Sequence, residues 1–452
     1  MLRQINNAAH FNQVPQVPLS TNRFTTSLET ESWDQTAGKL VLEANAGDHS
    51  MIFQYLKTTL PHVTEPDFEY ILDSPNYDPK NRFLIRDGSE ILGHVRLESR
   101  TIQFGAAKIH TVDLDEVSVF PELENTSCER ALMAAARYKA ARLGASVLTR
   151  NISSGNVRSS GWATIPCGKH VAMCAHDLLG RIEAFQAAAP DTRASKNNYF
   201  VRPWRYIERS EVMEIFETAT AGRDGVMERN DEYWQWMLAR RGFDRGYVAV
   251  DKRESEKDRI VGYAFVRNNK IAELATDPNH PHCALSLLRR IALDAVELGI
   301  HSLVFLASSL PQTLAIPLES TFDSNENQSA FFATALSVEL LAKQLSPVLF
   351  SNSKSEGLST GTKLGIECGS ESITLKIQRN RLGIQRGIKC ESTISLSPAN
   401  AAAMFLGRMN SLEAFEDGNI SASGRLAAVI AAKIFLERDQ MLRMPLNDLR
   451  SR

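Results

Sequence analysis

The period of the apolar positions changes several times along the chain, and each change marks an element. KLVLEA, from Lys39, alternates as a strand does, whereas MIFQYLKTTL and FEYILDS carry apolar residues at the three-to-four spacing of helices. FLIRDGSEILGHVRLESR predicts two strands around the Asp87-Gly88 turn, and IHTVDLDEVSVF predicts a third. A helix is expected from about Cys128 to Leu143, with Gly144 placed where a left-handed residue ends helices. ASVLTRN then resumes as a strand, parallel to the one before the helix. Gly161-Trp162 and CGKHVAMCAHDLL close this first unit.

AAAPDTRASKNN, residues 187–198, is small, polar and unpatterned, so it reads as a linker. Beyond it, residues 259–308 repeat the order strand, turn, strand, loop, helix ending at a glycine (Gly299), strand. That internal echo predicts a duplicated domain. LESTFDSNENQS, residues 318–329, is a second linker candidate. SAFFATALSVELLAKQL then reads as helical, and TKLGIECG, SITLKIQRN, RLGIQRG and ESTISLS as short strands. Two helical stretches, SPANAAAMFLGRM and SGRLAAVIAAKIFLERD, complete an α+β unit. The expected organisation is a disordered lead-in over 1–38, domains over 39–186, 199–320 and 329–452, and a linker over 187–198.

Composition narrows the partners. A chain of 452 residues with 43% apolar content can bury two or three separate cores. Lys plus Arg (51) nearly balances Asp plus Glu (53), so no global field draws the protein onto nucleic acid or anionic lipid. Small molecules or proteins are the expected partners, with no membrane or nucleic acid. The cysteines (Cys128, Cys167, Cys174, Cys283, Cys368, Cys390) form no CxxC pair, which argues against a disulfide framework and a zinc site and fits a reducing cytoplasm. No apolar run has the length of a membrane span, and MLRQINNAAHFNQVPQVPLSTNRF has no signal-peptide core.

The succession VDLDEVSVF, PELENTSC, helix, ASVLTRN, followed by its echo over 259–308, resembles the acetyl-CoA-dependent N-acetyltransferase (GNAT) fold. In the last unit FLG, GNISASG and a helix ending in IF are similar to the sterol-carrier-protein pattern. The order GNAT, linker, GNAT, sterol-carrier-like unit resembles the Eis type of acetyltransferase over roughly residues 39 to 446. The resemblance implies α/β and α+β architecture, with two GNAT-like mixed-sheet domains followed by a sterol-carrier-like α+β domain. It also implies acetyl-CoA as cosubstrate, a primary amine of a small molecule or a lysine as acceptor, and a homo-oligomer.

In that family the strand before the turn offers backbone groups to the pantetheine arm, a role that falls here on Val117 and Val119. The turn, R/Q-x-x-G-x-G/A in the family, donates backbone N–H groups to the diphosphate, helped by the partial positive charge of a helix N-terminus. It aligns here with Glu124, Asn125, Thr126, Ser127, Cys128 and Glu129. Glu124 replaces a cation, and Ser127 and Glu129 replace glycine positions. Backbone donors survive such changes, but a carboxylate near a diphosphate costs on the order of 1–4 kcal/mol per close pair at surface-like dielectric. Arg130 offsets part of this. Two outcomes stay open: a turn that still holds acetyl-CoA, or a retained fold with a disabled turn, which makes the chain a non-catalytic binding or scaffold protein. The second unit's turn, DPNHPHCALS, carries Pro278 and Pro281, which donate no N–H, and is not expected to bind CoA. Its HPHC run, His280 to Cys283, is expected to be solvated rather than metal-binding.

Acetyl transfer needs a neutral amine, a carbonyl polarised by a backbone donor, and a proton for the leaving thiolate. Candidate bases are Asp113, Asp115 and Glu116, unless solvation or Arg96 or Lys108 occupies them. Strict alternation puts Asp113 and Asp115 on one face with Val117 and Val119, and Glu116 on the other. The family's acidic tyrosine aligns with Val157, leaving Ser153, Ser154 and Ser159 as nearby hydroxyls. Its inserted C-terminal carboxylate corresponds to Arg452. In the last unit, Ala401, Met404, Phe405, Leu426, Val429, Ile430, Ile434 and Phe435 are expected to form a packed core rather than a lipid tunnel.

Overall fold

The structure, a computed structural model, describes residues 40–124, 126–151, 161–188, 199–240, 242–251, 259–306 and 327–438. The first unit holds β1 (Leu40–Glu43), α1 (His49–Thr59), α2 (Glu65–Leu72), β2 (Arg82–Asp87), β3 (Glu90–Phe104), β4 (Ala107–Val119), α3 (Ser127–Arg142) and β5 (Val147–Asn151). Next come β6 (Ala163–Cys174) and α4 (Ala175–Ala188). The second unit holds β7 (Tyr199–Pro203), α5 (Arg209–Thr220), β8 (Val226–Met227), α6 (Asp231–Ala239), β9 (Arg245–Asp251), β10 (Arg259–Arg267), β11 (Lys270–Thr276), α7 (Cys283–Glu297) and β12 (Ser302–Leu306). The third holds β13 (Asn327–Ala335), α8 (Val338–Ser355), β14 (Lys363–Cys368), β15 (Glu371–Ile377), β16 (Leu382–Arg386), β17 (Thr393–Leu396), α9 (Pro398–Phe405), α10 (Ser411–Glu416), β18 (Ser421–Ala422) and α11 (Arg425–Ile434).

The fold is mixed α/β throughout. One 13-stranded sheet runs through the first two units in the order β1-β2-β3-β4-β5-β13-β6-β12-β11-β10-β9-β7, with β8 added on β3. Two strands create this continuity. SAFFATA, expected to open a helix, is instead β13, because both its edges find partners: β5 on one side and β6 on the other. The helix begins only at Val338, after Ser337 accepts the N–H of Leu340 as its N-cap. β6 in turn pairs with β12, and Val171, Met173, Leu178 and Ile182 of β6 and α4 pack in the core around α7. CGKHVAMCAHDLL therefore completes the second unit's core rather than closing the first.

The five-stranded sheet β16-β15-β14-β17-β18 belongs to the third unit alone. Its core is continuous with the first: Ile102, Phe104 and Ile109 at the tip of the β3–β4 hairpin pack with Leu341, Leu345, Phe405 and Phe435. Ala401, Met404, Ile430 and Ile434 are buried there as expected, while Leu426 is 67% exposed, since it lies at the outer start of α11. The first two units are also joined through α2. Tyr70 packs against Trp236 of α6 in a tilted ring contact with centroids 4.1 Å apart, and the Trp236 indole donates to the Tyr70 carbonyl at 3.0 Å.

Candidate active site

The large sheet opens beside β4. β4 pairs in parallel with β5 from Thr111–Val147 to Leu114–Arg150, and there the pairing ends. β4 runs on to Val119 against β3, while β5 is held on its other side by β13. A bulge coincides with this parting: between the His94–Ser118 and Arg96–Asp115 pairs, Val95 of β3 faces both Glu116 and Val117 of β4. Glu116 takes φ +50, a left-handed conformation that costs a side-chain-bearing residue about 1–2 kcal/mol.

The bulge overturns the alternation expected for this strand. Glu116 lies on the face of Asp113 and Asp115, within 3.8 Å of the Arg96 that also binds Asp115. Val117 and Val119 turn instead into the core beneath α3, with Val112, Leu114 and Leu132. The inserted residue shifts the phase by one.

On the Asp115 face Arg96, Glu98 and Arg100 alternate in sign along β3, and the register sets charged neighbours beside them. Arg82, Arg96 and Asp115 form one row across β2, β3 and β4, and Glu98, Asp113 and Thr149 form the next across β3, β4 and β5. Arg82 Nη1 donates to Glu116 Oε2 at 2.5 Å. Arg96 binds Asp115 and, at 2.7 Å, Glu98. Arg100 binds Glu98 at 2.9 Å and Asp113 at 2.8 Å, and the Thr149 hydroxyl donates to Asp113. Phe68 of α2 covers Arg82 at 5.0 Å, and Met227 of β8 touches Arg100, so the face is sheltered from solvent. The expected pairing of a candidate base with Arg96 is therefore present, whereas Lys108 pairs with Glu228.

The environments push these groups apart. Burial works against the charge of Glu116, but Arg82, Arg96 and His94 outweigh it and hold the carboxyl below its ordinary range. Glu98 is likewise held low by Arg100 and Arg96 against the cost of burial. Asp113 goes the other way: burial, with Glu98 and Asp115 adding to it, pushes it up to about 6 despite Arg100 and Thr149. Access differs as well. The Asp115 side chain is 25% exposed and sits immediately past the last β4–β5 pair, while Glu116 is sealed at 1%. Glu116 Oε1 and Arg82 Nη2 are buried polar atoms without a hydrogen-bond partner among the described residues.

α3 starts just beyond the parting. After a short 3₁₀ turn at Pro121–Leu123, Thr126 is the N-cap: its hydroxyl accepts the N–H of Cys128 at 3.2 Å and donates to the Leu123 carbonyl at 2.6 Å. One donor that a diphosphate could use is thus engaged by the chain itself. Glu124 and Ser127 are exposed, Cys128 is buried and Glu129 half-buried. Arg150, at the end of the β4–β5 pairing, is drawn down to about 10 by burial, countered by the nearby charges of Glu129 and Asp115. Asn125, Val157, Ser153, Ser154, Ser159 and Arg452 lie outside the described residues. Of the remaining residues expected at the site, the structure brings Asp115, Glu116, Val117 and Val119 to the parting and Thr126, Ser127, Cys128 and Glu129 to the helix start above it.

Arg82, His94 and Arg150 went unnoticed in the sequence. For His94 the signal available was the run HVRLESR paired in a hairpin with VDLDE, cations and carboxylates at matching parity; Arg82 and Arg150 lie outside both runs.

The equivalent turn of the second unit is occupied by its own chain. The N–H groups of Cys283, Ala284 and Leu285 bond to the carbonyls of His280, Pro281 and His282, and the Asp277 carboxylate accepts the N–H of Asn279 at 2.8 Å. His280 lies 3.4 Å from Asp251 and 3.4 Å from the Tyr199 hydroxyl.

No family model matches the sequence, and no curated protein matches it. Solved structures do share its fold. A GCN5-related N-acetyltransferase from Kribbella flavida aligns with a TM-score of 0.65 at 12% identity, covering 89% of this chain and 98% of that one. Another from Anabaena variabilis aligns with a TM-score of 0.65 at 13% identity, covering 89% and 98%. Eis1 from Mycobacterium abscessus aligns with a TM-score of 0.60 at 13% identity, covering 90% and 99%. At these identities the likeness establishes the fold, that of GCN5-related N-acetyltransferases, across most of the chain.

Proposed function

We propose that the chain is an acyl-CoA-dependent N-acetyltransferase of the Eis type, using acetyl-CoA and a primary amine of a small molecule or of a lysine side chain. The observation that carries this reading is the parting of β4 from β5 at the Glu116 bulge, with Asp115 at its mouth and the N-terminus of α3 beyond it. Ligands of open α/β sheets bind where neighbouring strands separate at their C-terminal ends. The pantetheine arm would run along β4 at Val117 and Val119, and the diphosphate would meet the helix start over Thr126 to Glu129.

In this reading Asp115, the exposed end of the charge ladder, takes the proton of the acceptor ammonium. The freed nitrogen lone pair attacks the acetyl carbonyl carbon, a backbone N–H stabilises the developing oxyanion, and the nitrogen gives its surplus proton to solvent as the C–S bond breaks and leaves a neutral amide. The departing thiolate belongs to a thiol of pKa about 8.5, so its protonation can be left to solvent. Glu116, sealed between Arg82 and Arg96, keeps Arg96 in place beneath Asp115. The second GNAT-like unit is structural, since its helix donors are bound internally, and the third is a sterol-carrier-like domain with a packed core. A homo-oligomer in a reducing, cytoplasmic setting completes the proposal; Cys128, Cys174, Cys283, Cys368 and Cys390 are free thiols, in keeping with it.

Glu124 and the Thr126 cap favour a second reading, a scaffold protein that keeps the fold without the cofactor. Calorimetric titration with acetyl-CoA, followed by thiol release against a panel of amines, separates the two. Binding together with amine-dependent thiol release supports the enzyme; absence of binding at millimolar acetyl-CoA leaves the scaffold.

A further inference from the structure

His94 is fully buried on β3, opposite Ser118 and beside the bulge. Its Nε2 lies 3.0 Å from Arg82 Nη1, and a guanidinium only donates, so Nε2 accepts. The proton of the neutral ring is therefore on Nδ1, which donates to the main-chain carbonyl of Glu116 at 2.9 Å. Arg82 Nη1 also holds Glu116 Oε2. The three residues close a ring: carbonyl of Glu116, imidazole of His94, guanidinium of Arg82, carboxylate of Glu116. Residue 116 is thus gripped through its main chain and its side chain at once, which offsets the cost of its left-handed φ.

This grip fixes a peptide plane. In a trans peptide the C=O and the following N–H point in opposite directions. With the Glu116 carbonyl turned toward His94, the N–H of Val117 is turned away from it, at a level of β4 where the pairing with β5 has ended.

We infer that His94 is a positioning residue for acyl transfer, aiming the Val117 N–H at the acyl carbonyl oxygen by holding the other end of the same peptide. The inference rests on the acyltransferase reading for the identity of the reaction, while the orientation it assigns to the bulge can be tested without turnover. A donor of this kind acts only if it is already aimed when charge develops, and loss of one such donor typically lowers kcat 10²–10³-fold.

The test uses the full chain with His94→Leu, His94→Asn and His94→Gln. Leu removes the donor. Asn places an N–H close to the position of Nδ1, and Gln places it further out, nearer Nε2. The expected result is a kcat about 10²-fold lower for Leu with the KM for acetyl-CoA within about two-fold, substantial recovery with Asn and none with Gln. Crystal structures of the same proteins should keep Glu116 at positive φ in wild type and Asn, and lose it in Leu and Gln. A Leu variant with unchanged kcat, or with the bulge intact, overturns the proposal. Should Leu fail to fold, equal behaviour of Asn and Gln overturns it instead. If wild type neither binds acetyl-CoA nor releases thiol, the acyltransferase reading falls, and the φ of Glu116 across the variants still decides what His94 does to the bulge.

Discussion

Arg82 and Glu116, on strands separated by β3, meet at 2.5 Å with 0% and 1% of their side chains exposed. A buried pair of this kind contributes little relative to a well-packed apolar pair, yet breaking it strands a charge in the interior. The asymmetry gives a prediction. Arg82→Met should lower stability by about 3–5 kcal/mol, whereas Arg82→Met with Glu116→Gln should recover a substantial part, because no uncompensated charge remains. Denaturant unfolding of the two variants checks this. Equal losses in both would mean that Arg82 matters through its contacts with Phe68 and Tyr77 rather than through charge.

A second prediction concerns pH. Asp113 has its folded-state pKa raised from 3.8 to about 6, so between these values the folded state binds more protons than the unfolded one, and this group's contribution to stability falls as pH rises. His94, lowered from 6.5 to about 4, works in the opposite direction over nearly the same window: its contribution rises with pH as the unfolded state gives up the proton. The two slopes oppose each other in the wild type. Asp113→Asn removes one of them, so its stability relative to wild type should improve from pH 4 to 6, by on the order of 3 kcal/mol, and stay level above. Unfolding curves at several pH values test it, and a constant difference would place the titration of Asp113 elsewhere.

Features written in consecutive residues were legible in the sequence. Gly88 and Gly144 take the positive φ that the hairpin turn and helix end required, and the parallel return from α3 to β5 follows. Three features were not, each for a physical reason. The bulge at Glu116 has no local signature, because a non-glycine residue at positive φ is held there by His94 and Arg82 from other strands. SAFFATA satisfies helical and strand periods alike, and only the edges of β5 and β6 decide for a strand. The alternation in HVRLESR does not tell what covers its charged face; α2 and β8, distant in sequence, bury it.

Asp224 joins all three units at one point. Its carboxylate accepts the Gly105 N–H at the β3–β4 turn at 2.6 Å and, also at 2.6 Å, Nη1 of Arg438, whose guanidinium lies 4.5 Å from the Phe104 ring centre. Asp224→Ala leaves both donors without their acceptor and should cost about 2–4 kcal/mol. Asp224→Asn keeps an acceptor for Gly105 and should cost clearly less. Thermal unfolding ranks them, and an Ala variant as stable as wild type would show that the units hold together without this contact.

The last prediction returns to the charge at the cofactor turn. Glu124 is exposed just before the N-cap Thr126, where the family resemblance expects a cation. In the acyltransferase reading its carboxylate repels the diphosphate by on the order of 1–4 kcal/mol when the two are close. Reversing the charge with Glu124→Arg should therefore tighten CoA at least about ten-fold. Because two exposed charges are involved, the gain should shrink as salt is raised through a few hundred millimolar, where the Debye length falls below the separation of the groups. The cap itself is untouched, since Thr126 and not residue 124 binds the N–H of Cys128. Calorimetry on both proteins at low and high salt measures this directly. A wild type that binds CoA with an affinity indifferent to both substitution and salt would mean that the Glu124 carboxylate points away from the diphosphate, and that other charges near the helix start, such as Arg150 with Glu129, set the charge of the site instead.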